Sequence, residues 1–248
     1  METSDFITVL GREGHSLISA AEEAGLGSEV PTCPGWHVRD LVLHVGRVHR
    51  WATRHVAERL TEPAGLPEAE VPDELLGDWF RDGLHTLVGA LDDASDDLRC
   101  WTFLRGTANA RAFWARRQAH ETTIHRVDAE LAEGQALSPV DRDLAADGID
   151  ELLAGFHTRS RSRVRSPRPL ILRVRTTDGA ASEVWTMRLT EEEPSVGRGE
   201  EGDADCELSG PAELLYLALW NRLPHSGGLT VTGDADVLRL WREKSTIT

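Results

Sequence analysis

The sequence predicts an α+β protein, with an N-terminal four-helix bundle followed by a small α/β sandwich-like C-terminal domain. Three observations carry this. Apolar residues recur at three- and four-residue spacing through most of the stretch up to His157, as they do in helices with one buried face. From Leu170 the pattern changes to apolar–polar alternation, the two-residue period of strands. Between them lies an arginine-rich join, with Arg159, Arg161, Arg163, Arg165 and Arg168 interspersed with Ser and Pro. The domains are therefore drawn at residues 1–160 and 168–248.

Phe6, Leu10, Leu17 and Ile18 mark a first helix over residues 4–25, and Val30-Pro-Thr-Cys-Pro-Gly35 is rich in the residues that end helices. A long amphipathic helix follows from Val38 to about Leu60. Its stripe is Leu41, His44, Val45, Val48, Trp51, Ala52 and His55, so His44 lies on the apolar face while His49 and Arg50 face elsewhere. After a Pro- and Gly-containing loop, Asp73 is the expected cap of a third helix with Leu76, Phe80, Leu84, Leu87, Val88 and Leu91 inside. Trp101–Leu104 reads as a short strand or extended piece. The fourth helix runs from about Ala108 to Leu131, with Phe113 or Trp114, Arg117, Glu121, Ile124, His125 and Asp128 on its inner face. Leu144 to His157 repeats helically as a fifth.

Beyond the join, Leu170–Thr176 and Ala181–Leu189 are strands, and Thr177-Asp-Gly-Ala between them is a hairpin turn. Further short strands are expected near 194–198, at Ala204–Leu208 and at Leu229–Val231. Gly210–Trp220 is a helix with Pro211 in its first turn, a favoured position, and Asp234 opens a last short helix.

Composition narrows the function. The 248 residues carry 27 basic and 42 acidic side chains, a net charge of −15, which argues against a general nucleic-acid binder. Three widely spaced cysteines, Cys33, Cys100 and Cys206, form no disulfide framework and point to a reducing compartment. The acidic start lacks a signal-peptide pattern and no apolar run approaches a membrane span, so a cytoplasmic protein without a membrane partner is expected.

The groups that could do chemistry centre on one helix. Glu121 and His125 are four apart and lie one above the other. Each has a lone pair for a metal, but two donors also fit an ordinary solvated acid–histidine pair. The best third donor is His44, on a different helix. Two histidines and a carboxylate suit a catalytic zinc site with an open fourth position. Asp128 is placed to orient a ligand from behind, and Arg117 to pair with Glu121 or an anion. From His120 the next histidine is five residues on, so the zinc-peptidase spacing is absent. His37, His49, His55 and His120 are expected at the surface or at helix ends, Cys33 is expected to be structural, and Arg222 fits a helix-end carbonyl or a substrate carboxylate. No phosphate-binding glycine loop or serine-nucleophile elbow is present.

Three segments together resemble the mycothiol-dependent maleylpyruvate isomerase family. They are Cys33-Pro-Gly-Trp-x-Val-Arg-Asp-Leu-x-x-His44, Arg117-x-x-x-Glu121-x-x-x-His125-x-x-Asp128, and Gly210-Pro-Ala-Glu-Leu-Leu-x-Leu-x-Leu-Trp-x-Arg222. The resemblance implies a DinB-like metal-binding bundle with a small second domain. It also implies His44, Glu121 and His125 as ligands of a divalent metal, usually Zn2+, and Arg222 as a residue tied to activity. The implied activity is metal-dependent activation of a low-molecular-weight thiol, mycothiol in actinobacteria, for attack on a small electrophile, as isomerase or S-transferase. The alternative is a non-catalytic metal- or ligand-binding or regulatory protein that keeps the bundle. Either way the expected partners are small molecules, with the chain a monomer or homodimer. His37 and Asn221 depart from residues common in that family, at positions away from the metal donors.

Overall fold

The computed structural model describes residues 1–104 and 109–247. The chain divides into two compact units, Met1–Ser138 and Pro139–Thr248.

The first unit is the expected four-helix bundle: α1 (Thr3–Ala24), α2 (Val38–Ala57), α3 (Asp73–Asp93) and α4 (Ala110–Glu133). Leu10, Leu17, Leu41, Val45, Leu76, Phe80, Leu84, Leu87 and Leu91 fill its core. Asp40 accepts a hydrogen bond from the His37 N–H at 2.9 Å and so starts α2. Asp73 is not the cap of α3. Pro72 holds that position, and Asp73 is the first helical residue, its carboxylate accepting from Arg39 Nε at 2.6 Å. Asn109 caps α4 by accepting from the Ala112 N–H at 2.8 Å, and Gly134 ends it at φ 80°, which favours glycine. The expected first residue of that helix, Ala108, lies outside the described residues.

Helix α4 is buried along nearly its whole length, polar residues included. Arg126, within 2% of full burial, pairs with Glu13 of α1 at 2.9 Å and with Glu130 at 2.7 Å. A buried charge needs such partners. This is why α4 reads in sequence as a helix of mixed polarity. Trp101–Leu104 is irregular backbone and forms no strand. The Trp101 N–H donates to Leu60 O at 2.7 Å, and its ring joins Trp51, His55, Phe103 and Trp114 in an aromatic cluster.

The second unit begins with α5 (Arg142–Asp150), capped by Asp141, and runs on into a π-helical turn, Glu151–Phe156. The single α-helix expected over 144–157 is thus α-helical only in its first part. A mixed five-stranded sheet follows in the order β3-β2-β1-β4-β5. Its strands are β1 (Leu170–Thr176), β2 (Val184–Leu189), β3 (Ser195–Arg198), β4 (Cys206–Gly210) and β5 (Thr230–Gly233). Among the described residues only β1 and β4 pair in parallel. The β1–β2 connection, Thr177–Glu183, is longer than a tight hairpin because it also caps a helix. Its Asp178 carboxylate accepts from the Ala212 N–H at 3.1 Å, at the start of α6 (Ala212–Leu219). Asp234 accepts from the Asp236 N–H at 3.0 Å ahead of α7 (Asp236–Lys244). Leu172, Val174, Trp185, Met187 and Leu208 of the sheet are buried, as are Leu215, Tyr216 and Trp241 of α6 and α7, which makes the second unit a helix-on-sheet sandwich.

The division falls before α5, ahead of the 160–168 boundary expected from composition. Helix α5 packs so closely on α6 that a Cβ at Gly148 would lie 2.3 Å from the Tyr216 ring. The arginine-rich stretch is an internal loop of the second unit, in which Arg165 donates to the carbonyls of Ser160, Ser162 and Glu191 at 2.9, 3.0 and 2.9 Å. No described helix is long and apolar enough to cross a membrane.

Candidate metal centre

In the first unit α2 supplies His44 and α4 supplies Glu121 and His125. Their donor atoms lie within 4.8 Å of one another. Glu121 Oε1 is the common point, 3.4 Å from His44 Nε2 and 3.4 Å from His125 Nε2. Two ligands of a tetrahedral zinc, each at about 2.0–2.1 Å, stand roughly 3.4 Å apart, so both separations match the edge of such a site. The donor set, two imidazoles and a carboxylate, suits a borderline divalent ion. The side chains of His44, Glu121 and His125 are 31%, 23% and 11% exposed, which leaves solvent access on one side.

The surroundings prepare each donor. Arg117, itself buried, donates from Nη2 to Glu121 Oε2 at 3.1 Å and leaves Oε1 to the histidines. Burial pushes the Glu121 carboxyl up, but hydrogen bonds from His125 and His44, with the charges of His125 and Arg117, outweigh this and hold it well below the usual carboxylate range. For His125 burial pulls downward, and the hydrogen bonds and charges of Asp128 and Glu121 win, raising it to about 9. His125 Nδ1 donates to Asp128 Oδ2 at 2.8 Å, so the ring presents Nε2 to Glu121. An arriving cation would take the place of the Nε2 proton, as metal binding to histidine generally does. Trp36 packs beside both imidazoles, its ring 5.0 Å from that of His44 and stacked at 6.4 Å on that of His125.

Behind His125 is a second set of donors, Cys33, His125 and Asp128, sharing that histidine. Cys33 Sγ lies 3.6 Å from Asp128 Oδ2, and Thr32 Oγ1 donates to Asp128 Oδ1 at 2.5 Å. Sequence reasoning did not find Thr32 as a neighbour of this site. It is 96 residues from Asp128 in the chain, and no local spacing connects them.

Of the four histidines expected at the surface or at helix ends, His37 is exposed just ahead of α2 and His55 lies in the last turn of that helix. His49, His55 and His120 are buried. His49 Nε2 meets Thr122 Oγ1 at 2.9 Å, and burial pushes its pKa down to about 3, so it is a neutral core group. His55 Nδ1 lies 2.9 Å from Trp51 O within the aromatic cluster. Arg222 belongs to the second unit. It follows α6 and the left-handed Asn221 (φ 61°), and its Nη1 donates to Trp220 O at 2.8 Å, the helix-end carbonyl contact open to it from sequence.

Residues 8–130 match the family model described as the mycothiol maleylpyruvate isomerase N-terminal domain, and residues 143–240 match its partner, the MDMPI C-terminal domain. Among solved structures, the mycothiol-dependent maleylpyruvate isomerase aligns at 15% identity over 94% of this chain and 93% of its own, with a TM-score of 0.62. A histidine-to-alanine mutant of that enzyme aligns at 13% identity with the same coverage and TM-score. At such identity the likeness is one of fold. A search of curated protein sequences gave no match. Through both of its units, the chain belongs to the mycothiol maleylpyruvate isomerase family.

Proposed function

We propose that this protein is a metal-dependent enzyme that activates a low-molecular-weight thiol, mycothiol or a close relative, for attack on a small electrophile. The observation that carries this is the meeting of His44 Nε2 and His125 Nε2 on one oxygen of Glu121, in a half-open site of a family named for a thiol-dependent isomerase. The proposed ion is Zn2+, held by His44, Glu121 and His125. When bound, such an ion supplies a positive charge that lowers the pKa of a thiol in the remaining position.

The chain's own residues do the rest. Arg117 orients Glu121 through Oε2, and the two histidines, with a smaller contribution from Arg117, keep it ionised. Asp128 holds the Nδ1 proton of His125, which fixes the tautomer that offers Nε2. Trp36 packs against both imidazole rings. Arg222, which by resemblance matches an arginine tied to activity in the family, is proposed to pair with a carboxylate or enolate of the substrate. As an isomerase, the protein would add the sulfur across a cis double bond, allow rotation about the resulting single bond, and eliminate the thiol unchanged. As a transferase it would retain the new carbon–sulfur bond in the product.

Metal content and thiol-dependent turnover test this together. The purified chain should carry a divalent ion that Glu121→Ala and His44→Ala remove. Maleylpyruvate or a model electrophile should be converted only when mycothiol is present. Recovery of the thiol then marks the isomerase, and its consumption marks the transferase. A wild-type chain that takes up no divalent metal, or turnover indifferent to thiol, would sink the proposal.

A further inference from the structure

The loop between α1 and α2 touches the metal centre from behind, and the contacts concentrate on one side chain. Asp128 is fully buried. Its Oδ2 accepts from His125 Nδ1 at 2.8 Å and lies 3.6 Å from Cys33 Sγ, while its Oδ1 accepts from Thr32 Oγ1 at 2.5 Å. A carboxylate out of water is stable only when its oxygens are met by donors, and those donors decide which way it points. With Oδ1 tied to Thr32, Oδ2 faces the His125 ring.

The loop itself is held in place by its own backbone. Cys33 N–H donates to Val30 O at 3.0 Å, Trp36 N–H to Cys33 O at 2.9 Å, and Val30 N–H to Trp36 O at 2.9 Å. Val38 N–H, at the start of α2, donates to Ser28 O at 2.9 Å. Thr32 and Cys33 therefore present their side chains to Asp128 from a closed turn. That turn also carries Trp36 against the rings of both histidines.

We infer that Thr32, assisted by Cys33, is a positioning residue that sets the affinity of the metal centre by orienting Asp128 and through it His125. This rests on the reading of His44, Glu121 and His125 as metal donors. Thr32 reaches the centre by its hydrogen bond to Asp128, so its effect passes through the chain Thr32–Asp128–His125. Groups that orient a ligating histidine typically change metal affinity 10–100-fold when removed. One further link out, the loss of the Thr32 hydroxyl is expected near the lower end, about 10-fold.

The test is Zn2+ and Co2+ affinity of the full-length chain by chelator competition, with the visible spectrum of the Co2+ form as a second readout. Thr32→Val should weaken binding about 10-fold and alter the Co2+ spectrum. Thr32→Ser, which restores the hydroxyl, should bind as wild type. Cys33→Ala should show a smaller loss and Cys33→Ser little or none. In an Asp128→Asn background, adding Thr32→Val should change little further, because the two act in series.

Wild-type affinity in Thr32→Val overturns the inference. So does equal loss in Thr32→Val and Thr32→Ser, which would mean that loop packing and not the hydroxyl matters. Strictly additive losses in the Thr32→Val/Asp128→Asn pair also overturn it. Failure of the underlying reading looks different: there the wild-type chain itself would bind neither ion.

Discussion

His157, just past the π-helical turn, is a neutral imidazole inside the second unit. Burial pushes its pKa down to about 4, against a smaller upward pull from a backbone hydrogen bond at Ser245. Its Nδ1 lies 3.1 Å from Ser162 Oγ, and its ring packs edge-on to Trp241 at 4.8 Å. Above the ordinary histidine value of about 6.5 the folded and unfolded chains both hold it neutral. Between there and pH 4 the unfolded chain binds a proton that the folded one refuses, so stability is lost as pH falls through that window. The loss at pH 5 is about 2 kcal/mol. Urea unfolding at pH 7 and pH 5 should therefore show the gap between wild type and His157→Gln narrowing by roughly that amount at the lower pH; an unchanged gap would show that His157 is not the acid-sensitive group. At this scale the sequence located His44, Glu121, His125 and Asp128, because three of them share one helical face and the fourth sits on another amphipathic helix. It could not locate Thr32. A hydroxyl reaching a carboxylate 96 positions away has no periodic signature. Nor could it bury His49, His55 and His120, since the surroundings of a residue on a helix enclosed on all sides depend on neighbours distant in sequence.

Gly148 decides how close α5 comes to α6. An added methyl would meet the Tyr216 ring at 2.3 Å, and that ring is fully buried and has little room to retreat. Overpacking of this kind costs about 1–3 kcal/mol, whereas alanine gains at most about 1 kcal/mol over glycine in a helix. The clash is expected to win: Gly148→Ala should destabilise the second unit by about 1–2 kcal/mol, read as an earlier denaturant midpoint with an unchanged slope. Equal or greater stability would show that the ring can yield. The same contact explains the displaced domain boundary. Composition marks where the chain is polar and irregular, and residues 160–168 are that, but a unit is delimited by what packs on what. The apolar periods of α1 to α4 and the alternation of β1 and β2 were legible because each buries a regular face. The π-helical turn, the long β1–β2 connection and the irregular path of Trp101–Leu104 were not, because capping of α6 by Asp178 and the aromatic cluster are tertiary demands.

Across the whole chain, the two units divide the expected functions unequally. The three proposed metal donors, with Arg117, Asp128, Thr32 and Trp36, lie in Met1–Ser138, whereas Arg222 and the sheet lie in Pro139–Thr248. A ligand that binds only the folded form stabilises what holds it, by about 2.7 kcal/mol at a free concentration 100 times its Kd. The unit that gains this is the bundle. For about 140 residues each kcal/mol moves the midpoint by roughly 3–4 °C, so excess Zn2+ should raise the bundle's transition by about 10 °C. The sheet unit contains none of the proposed ligands and should unfold at an unchanged temperature, while Gly148→Ala should lower that second transition and spare the first. Scanning calorimetry of metal-free and Zn2+-loaded chains, with His44→Ala as the control that abolishes the shift, separates the two. Equal displacement of both transitions by metal, or a single transition that both metal and Gly148→Ala move, would mean that the chain unfolds as one cooperative body. The energy of the metal centre would then be shared with the sheet and not confined to the helices that supply the donors.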